Sequence, residues 1–157
     1  SLRAPMSALA GIALSKRYDT PVIVDLADIV FEWPWDPIAY FHSNKSVDAV
    51  VPYFVSQNPK FSYLRLDGLR VLEAHEKQVI SSNASAGVYI FRDVSTYLRA
   101  VGYCVRRPDI CQLDGAFFLC PSVNGLITTD RQVHAIQVRD VVPVSSIFHE
   151  SLPRESI

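Results

Sequence analysis

The run "TPVIVDL" (residues 20–26) is short, continuously apolar and entered through a turn. That is the pattern of a strand covered on both faces. Such a strand needs packing layers above and below it, and the sequence offers helices to supply them. Residues Pro5 to Lys16 carry Met6, Leu9, Ile12 and Ala13 at helical spacing and predict a helix, with Met6 and Leu9 facing a core. "WPWDPIAYFHSN" predicts a helix from Pro37 capped by Asp36. Asp93 caps another through Arg106. Strands are expected at 47–55, 61–67, 86–92, 116–121, 132–138 and 141–145, with a hairpin turning at Asp67-Gly68 and a short helix at 122–129. Buried strands with intervening helices predict an α/β fold in three layers, a mixed sheet flanked by helices, as a single domain over residues 1–157.

Composition narrows the function classes. The chain has 157 residues, 49% apolar and 20% charged, enough to bury roughly 70% of its unfolded surface. A net charge of −1 supplies no electrostatic reason for nucleic acid or an anionic membrane as partner. No apolar run reaches about 18 residues, so no membrane span is expected. The early apolar stretch is broken by Lys16, Arg17 and Asp19, so no signal peptide is expected either. Cys104, Cys111 and Cys120 are an odd set without CxxC spacing, which predicts free thiols in a reducing cytoplasm. The sequon at Asn83-Ala84-Ser85 then has no secretory context.

In sheets of this kind, ligands sit beyond the C-terminal ends of strands. The positions to examine therefore lie past Val24, past Ala74 and beside Ala86. Asp25 and Asp28 form a DxxD pair at the first strand exit. Carboxylates so placed can hold a hard cation such as Mg²⁺ against phosphate, or simply cap the next turn. Glu76 and Lys77 are an adjacent acid and base where a strand stops. On a continuing strand their side chains would point to opposite faces. At a strand end, Glu76 could accept from hydroxyls and Lys77 could reach a phosphate; both could equally be an exposed charged tip. Gly87, at the start of a strand, marks close approach of a ligand or another backbone, or else a bulge. Trp33 and Trp35 around Pro34 could stack on a ring or serve as core anchors. The four histidines are scattered without ligand spacing, and GxGxxG, GxxxxGK and GxSxG are absent from the sequence.

Taken together, "APMSALAGIAL", "PVIVDLADIVF", "PKFSYLRLDGLRVLEAHEK", "SSNASAGVYIFRD" and "FFLCPSVNGLI" resemble, in order, segments of the sugar-phosphate nucleotidyltransferases, or nucleoside-diphosphate-sugar pyrophosphorylases. The resemblance covers residues 5 to about 140. It implies a GT-A-like fold, with Asp28 as the Mg²⁺-contacting and catalytic aspartate and Lys77 on the sugar phosphate. Glu76 would hold sugar hydroxyls, and Gly87, Ala86 and Asn124 would line the sugar site. The implied reaction joins a nucleoside triphosphate to a sugar-1-phosphate, as in capsule or surface-polysaccharide synthesis.

The sequence departs from the family in two places. The family opens with a strand and a glycine-rich loop that cradles the triphosphate, and nothing before Pro5 supplies it. The expectation is an N-terminally truncated version carrying the sugar-phosphate half of the site. Near the other end, "RDVVPVSSIFH" lacks the Gly-Thr of the family's second metal motif and offers only Asp140. Loss of such preorganised groups costs ~10²-fold or more each. Two further readings of the same residues are a catalytically silent module binding a sugar phosphate or a protein, and a metal-dependent glycosyltransferase. "WPW" and an incomplete sheet edge would support self-association.

Overall fold

A computed structural model of the chain describes residues 4–15 and 17–146. The chain opens with α1 (Ala4–Ala13), ending short of the expected Lys16, which lies outside the described residues. Next come β1 (Val22–Asp25), β2 (Ile29–Glu32), α2 (Pro37–Ser43), β3 (Val47–Val55), β4 (Tyr63–Asp67) and β5 (Arg70–His75). They are followed by β6 (Asn83–Ser85), β7 (Val88–Phe91), α3 (Val94–Arg106) and α4 (Pro108–Cys111). A small hairpin, β8 (Gln112–Leu113) and β9 (Ala116–Phe117), leads through a 3-10 turn (Cys120–Val123) into α5 (Asn124–Ile127). Strands β10 (Gln132–Gln137) and β11 (Arg139–Pro143) follow.

Two helix starts follow directly from their caps. The Asp36 carboxylate accepts from the Ile38 and Ala39 N–H groups, and Asp93 accepts from Thr96 at 2.7 Å. Each satisfies donors that a helix leaves unpaired. The β4–β5 hairpin turns where expected, with Gly68 at φ +56°.

Strand β3 is the spine of a seven-stranded mixed sheet in the order β1-β7-β3-β10-β5-β4-β6. It pairs in parallel with β10 on one side and antiparallel with β7 and β6 on the other. Strands β6 and β7 act as one strand interrupted at Ala86-Gly87; the Ala86 N–H still donates to the Pro52 carbonyl at 2.9 Å across the break. From the break, β7 passes to β1 and β6 to β4, so the sheet divides there. The pairings β3–β10–β5–β4–β6 return to β3, curling that end of the sheet.

Helices cover both faces, giving the three layers expected. On β7, Tyr89 and Phe91 pack into the larger core with Tyr97, Ala100 and Val101 of α3 and Leu126 of α5. Val88 and Ile90 face the other way, against Phe41 of α2. Burial of each such large side chain stabilises by roughly 1.5–3 kcal/mol. Met6 and Leu9 of α1 pack half-buried on the larger core, and the Tyr97 hydroxyl donates to the Pro5 carbonyl.

Two expectations need correction. Residues 20–26 do not form a strand covered on both faces: among the described residues β1 is an edge strand paired with β7, and of its four residues Val24 alone is buried. A short apolar run carries no information about which neighbour it lacks, and Ile23 is 49% exposed. The strand expected at 116–121 is confined to Ala116–Phe117, because Pro121 has no N–H for a ladder and its fixed φ suits the 3-10 turn. That turn and α5 together occupy the ground expected for a helix at 122–129. Strands β2, β6 and β8 and helix α4 were not anticipated. Among the described residues no helix is long and apolar enough to cross a membrane, and the three cysteines are free and buried.

Helix α5 lies against α3 at Gly125, where an added Cβ would stand 2.3 Å from the Tyr103 Cβ. Gly125→Ala should therefore destabilise the chain by roughly 1–3 kcal/mol, read as a lower urea midpoint at unchanged slope.

Candidate functional site

The exits of β1 and β5 and the β6–β7 break lie together. With the loop before β4 and the segment after β9, they line a cavity of about 180 Å³. Asp28, Glu76, Lys77 and Gly87 all contribute to its wall, although they come from separate stretches of sequence.

Gly87 is required by geometry. Its φ is +76°, and a Cβ there would lie 2.7 Å from Asp28 Oδ1. The Leu26 N–H donates to the Gly87 carbonyl at 3.0 Å, and the Val144 N–H donates to the Asp28 carbonyl at 2.9 Å, so the strap carrying Asp28 is pinned at both ends. Burial is the largest influence on the Asp28 carboxyl and raises its pKa. A backbone hydrogen bond opposes this, and the Asp25 charge adds to it. Asp25 itself takes the turn-capping role: its Oδ1 accepts from the Ala27 N–H at 2.8 Å, with Ala27 at φ +57°. Asp25 lines grooves away from the cavity, so the DxxD pair diverges.

Glu76 and Lys77 reach the same cavity because β5 stops at His75 and Lys77 adopts φ +50°, which breaks the alternation of a strand. Glu76 is half-buried, and the Ser62 hydroxyl donates to its Oε2 at 2.5 Å. Burial pushes the Glu76 pKa up; the Ser62 hydrogen bond and the Lys77 ammonium oppose this, and the Asp28 charge raises it further. The Lys77 ammonium stands 5.3 Å from the Phe118 ring centroid, a cation–π contact that holds it at the wall.

The floor is polar but uncharged. The Gly87 N–H donates to Ser85 Oγ at 3.2 Å, and that hydroxyl donates to the Tyr89 hydroxyl at 2.9 Å. Burial keeps the Tyr89 phenol protonated and pushes the Cys120 thiol up to about 12, so neither is an anionic nucleophile at neutral pH.

Two expected residues stand elsewhere. Asn124 is nearly buried, and its amide accepts from the Ala74 N–H at 2.9 Å and donates to the Ala74 carbonyl at 2.8 Å. It fixes β5 against α5 rather than lining the cavity. Ala86 is buried and contributes its N–H to the sheet. Asp140 lies exposed on β11 and is also absent from the cavity wall. Lys60, Ser62 and Cys120 line it without having been anticipated. Lys60 could be suspected as a loop cation; Ser62 and Cys120 have no signal in spacing.

Among the described residues no three histidine, cysteine or acidic side chains are placed together so that they could hold a metal ion. Mg²⁺ does not need such a set, since it is commonly held by one or two carboxylates with water and phosphate oxygens. Asp28 and Glu76 supply carboxylates that burial disfavours as anions, a donor set a hard cation would relieve. The residues present fit that ion.

The raised pKa of Glu76 has a stability consequence. A carboxyl raised on folding costs stability above its folded pKa, and the cost disappears below its unfolded value near 4.3. Glu76→Gln, which keeps an acceptor for Ser62, should raise the melting temperature at pH 7 and leave it unchanged below about pH 4. Asn124→Ala should lower the urea midpoint by the equivalent of roughly 2–4 kcal/mol, because both polar groups of Ala74 lose their partners.

No family model matches this chain, and no curated protein does. Solved structures do. One is a nucleoside-diphosphate-sugar pyrophosphorylase from Vibrio cholerae RC9, 22% identical with a TM-score of 0.72, over 92% of this chain and 60% of that one. Another is a protein from Bacillus anthracis assigned as a glucose-1-phosphate thymidylyltransferase, solved with sucrose, 16% identical with a TM-score of 0.65 over 98% and 61%. The chain thus spans about three fifths of the length of each. The likeness is one of fold: this chain has the mixed α/β architecture of those two structures.

Proposed function

We propose that the cavity binds a sugar 1-phosphate, and that the protein transfers a nucleotidyl group to it from a nucleoside triphosphate. The observation that carries this reading is the convergence of Asp28, Glu76, Lys77 and Gly87 on one small cavity. At about 180 Å³ it is smaller than the ~300 Å³ and above usual for drug-sized ligands, which suits a single sugar ring and not a whole nucleotide. The overall shape shared with the two solved structures agrees with the reading.

In this mechanism Glu76 accepts from sugar hydroxyls and Gly87 lets the ring approach the backbone. Lys77, with Lys60 at the same wall, neutralises the sugar phosphate. A phosphate oxygen attacks the α-phosphorus of the triphosphate; the new P–O bond forms as the bond to the β-phosphate breaks and pyrophosphate leaves. Asp28 is the carboxylate that would hold Mg²⁺. The ion would supply charge neutralisation on the phosphates. The chain's own residues contribute by positioning and fixed charge, with no covalent intermediate. A GT-A-like classification, a reducing cytoplasmic setting and a role in surface-polysaccharide synthesis belong to the same proposal.

Calorimetric titration with hexose 1-phosphates in the presence of Mg²⁺ tests it. The parent chain should bind, Lys77→Ala should bind roughly tenfold or more weakly, and Asp28→Asn should lose the Mg²⁺ dependence. No binding of any hexose 1-phosphate by the parent, or undiminished binding by Lys77→Ala, would overturn the assignment. Release of pyrophosphate from a panel of triphosphates reports turnover separately.

A further inference from the structure

The loop before β4 supplies Lys60, Phe61 and Ser62 to the cavity, and its shape is fixed internally. The Asn58 carbonyl accepts from both the Phe61 N–H at 3.2 Å and the Tyr63 hydroxyl at 2.8 Å. Asn58 Oδ1 also accepts from the Lys60 N–H at 3.1 Å. Ser62 is then held twice: its carbonyl accepts from the Ser85 N–H at 2.8 Å, and its hydroxyl donates to Glu76 Oε2 at 2.5 Å. A backbone-anchored hydroxyl with a short bond to a half-buried carboxylate fixes that carboxylate's rotamer. It occupies one Glu76 oxygen and leaves Oε1 without a protein donor among the described residues.

We infer that Ser62 is a positioning residue for ligand hydroxyls, orienting Glu76 so that its second carboxylate oxygen is presented to the cavity as a pure acceptor. The inference rests on the sugar-phosphate reading above and deepens it. Recognition divides into two ends: a hydroxyl end built from Ser62 and Glu76, and a phosphate end built from Lys77 and Lys60. Ser62 touches no ligand atom in this scheme and acts through Glu76. A ligand lacking hydroxyls gains nothing from Ser62, whereas a polyhydroxylated phosphate does. The same geometry rejects a ligand that offers an acceptor at that point, because two acceptors would then face each other.

The experiment compares the parent, Ser62→Ala and Ser62→Thr against hexose 1-phosphates and against inorganic phosphate. Ser62→Ala should bind the hexose 1-phosphate roughly tenfold more weakly while its affinity for inorganic phosphate stays within about twofold, and Ser62→Thr, which keeps the hydroxyl, should recover most of the loss. An unchanged hexose 1-phosphate affinity in Ser62→Ala, or an equal loss for inorganic phosphate, overturns the inference. If the parent binds no hexose 1-phosphate, the proposed function fails, and the positioning role is decided without ligand by the ¹³C shift of the Glu76 carboxyl at neutral pH. That shift should move in Ser62→Ala and return in Ser62→Thr; a shift that stays put in both overturns the role.

Discussion

The cavity exists because one residue has no side chain. At Gly87 the long strand opposite β3 changes partners, passing from β4 to β1, and the backbone turns through φ +76°. The Asp28 carboxylate occupies the space a methyl would fill, 2.7 Å from where that Cβ would stand. Any larger residue would have both an unfavourable backbone conformation and a close contact with the Asp28 carboxylate. The split in the sheet, the strap from Leu26 to Ile29 and the position of Asp28 are therefore one arrangement.

Around that point the protein gathers charge it does not fully neutralise. Asp28 and Glu76 are both raised by burial, and the Asp28 charge makes Glu76 worse off. Lys77 and the Ser62 hydroxyl offset part of this for Glu76, while the floor of Ser85, Tyr89 and Cys120 stays neutral. A half-buried carboxylate such as Glu76, incompletely compensated, is a cost to folding, whereas Asp28 stays open to solvent and feels burial less. They are better matched to a bound cation or to hydroxyl donors than to an empty cavity, and such arrangements cluster at functional sites.

Much of this was legible in residue order. Asp36 and Asp93 announced their helices and Asp67-Gly68 its turn; what crowds Gly87 is the Asp28 carboxylate, which the sequence did not name. The end of β5 was readable from the turn-like "QVISSN" that follows Glu76 and Lys77. Other features were not readable. Asn124, expected at the sugar, is spent on both polar groups of Ala74, a partner fifty positions away. Ser62, expected inside the 61–67 strand, shows nothing of its role until β5 brings Glu76 to it.

The sequence by itself determined the local conformations: caps, turns and the glycine at the break, each set by neighbours within a few positions. The tertiary structure decided which strand lay at the edge, which aspartate of the DxxD pair faced the cavity, and which hydroxyl held Glu76. Those outcomes depend on pairing between distant segments, and a side chain carries no record of its long-range partner until the chain closes around it.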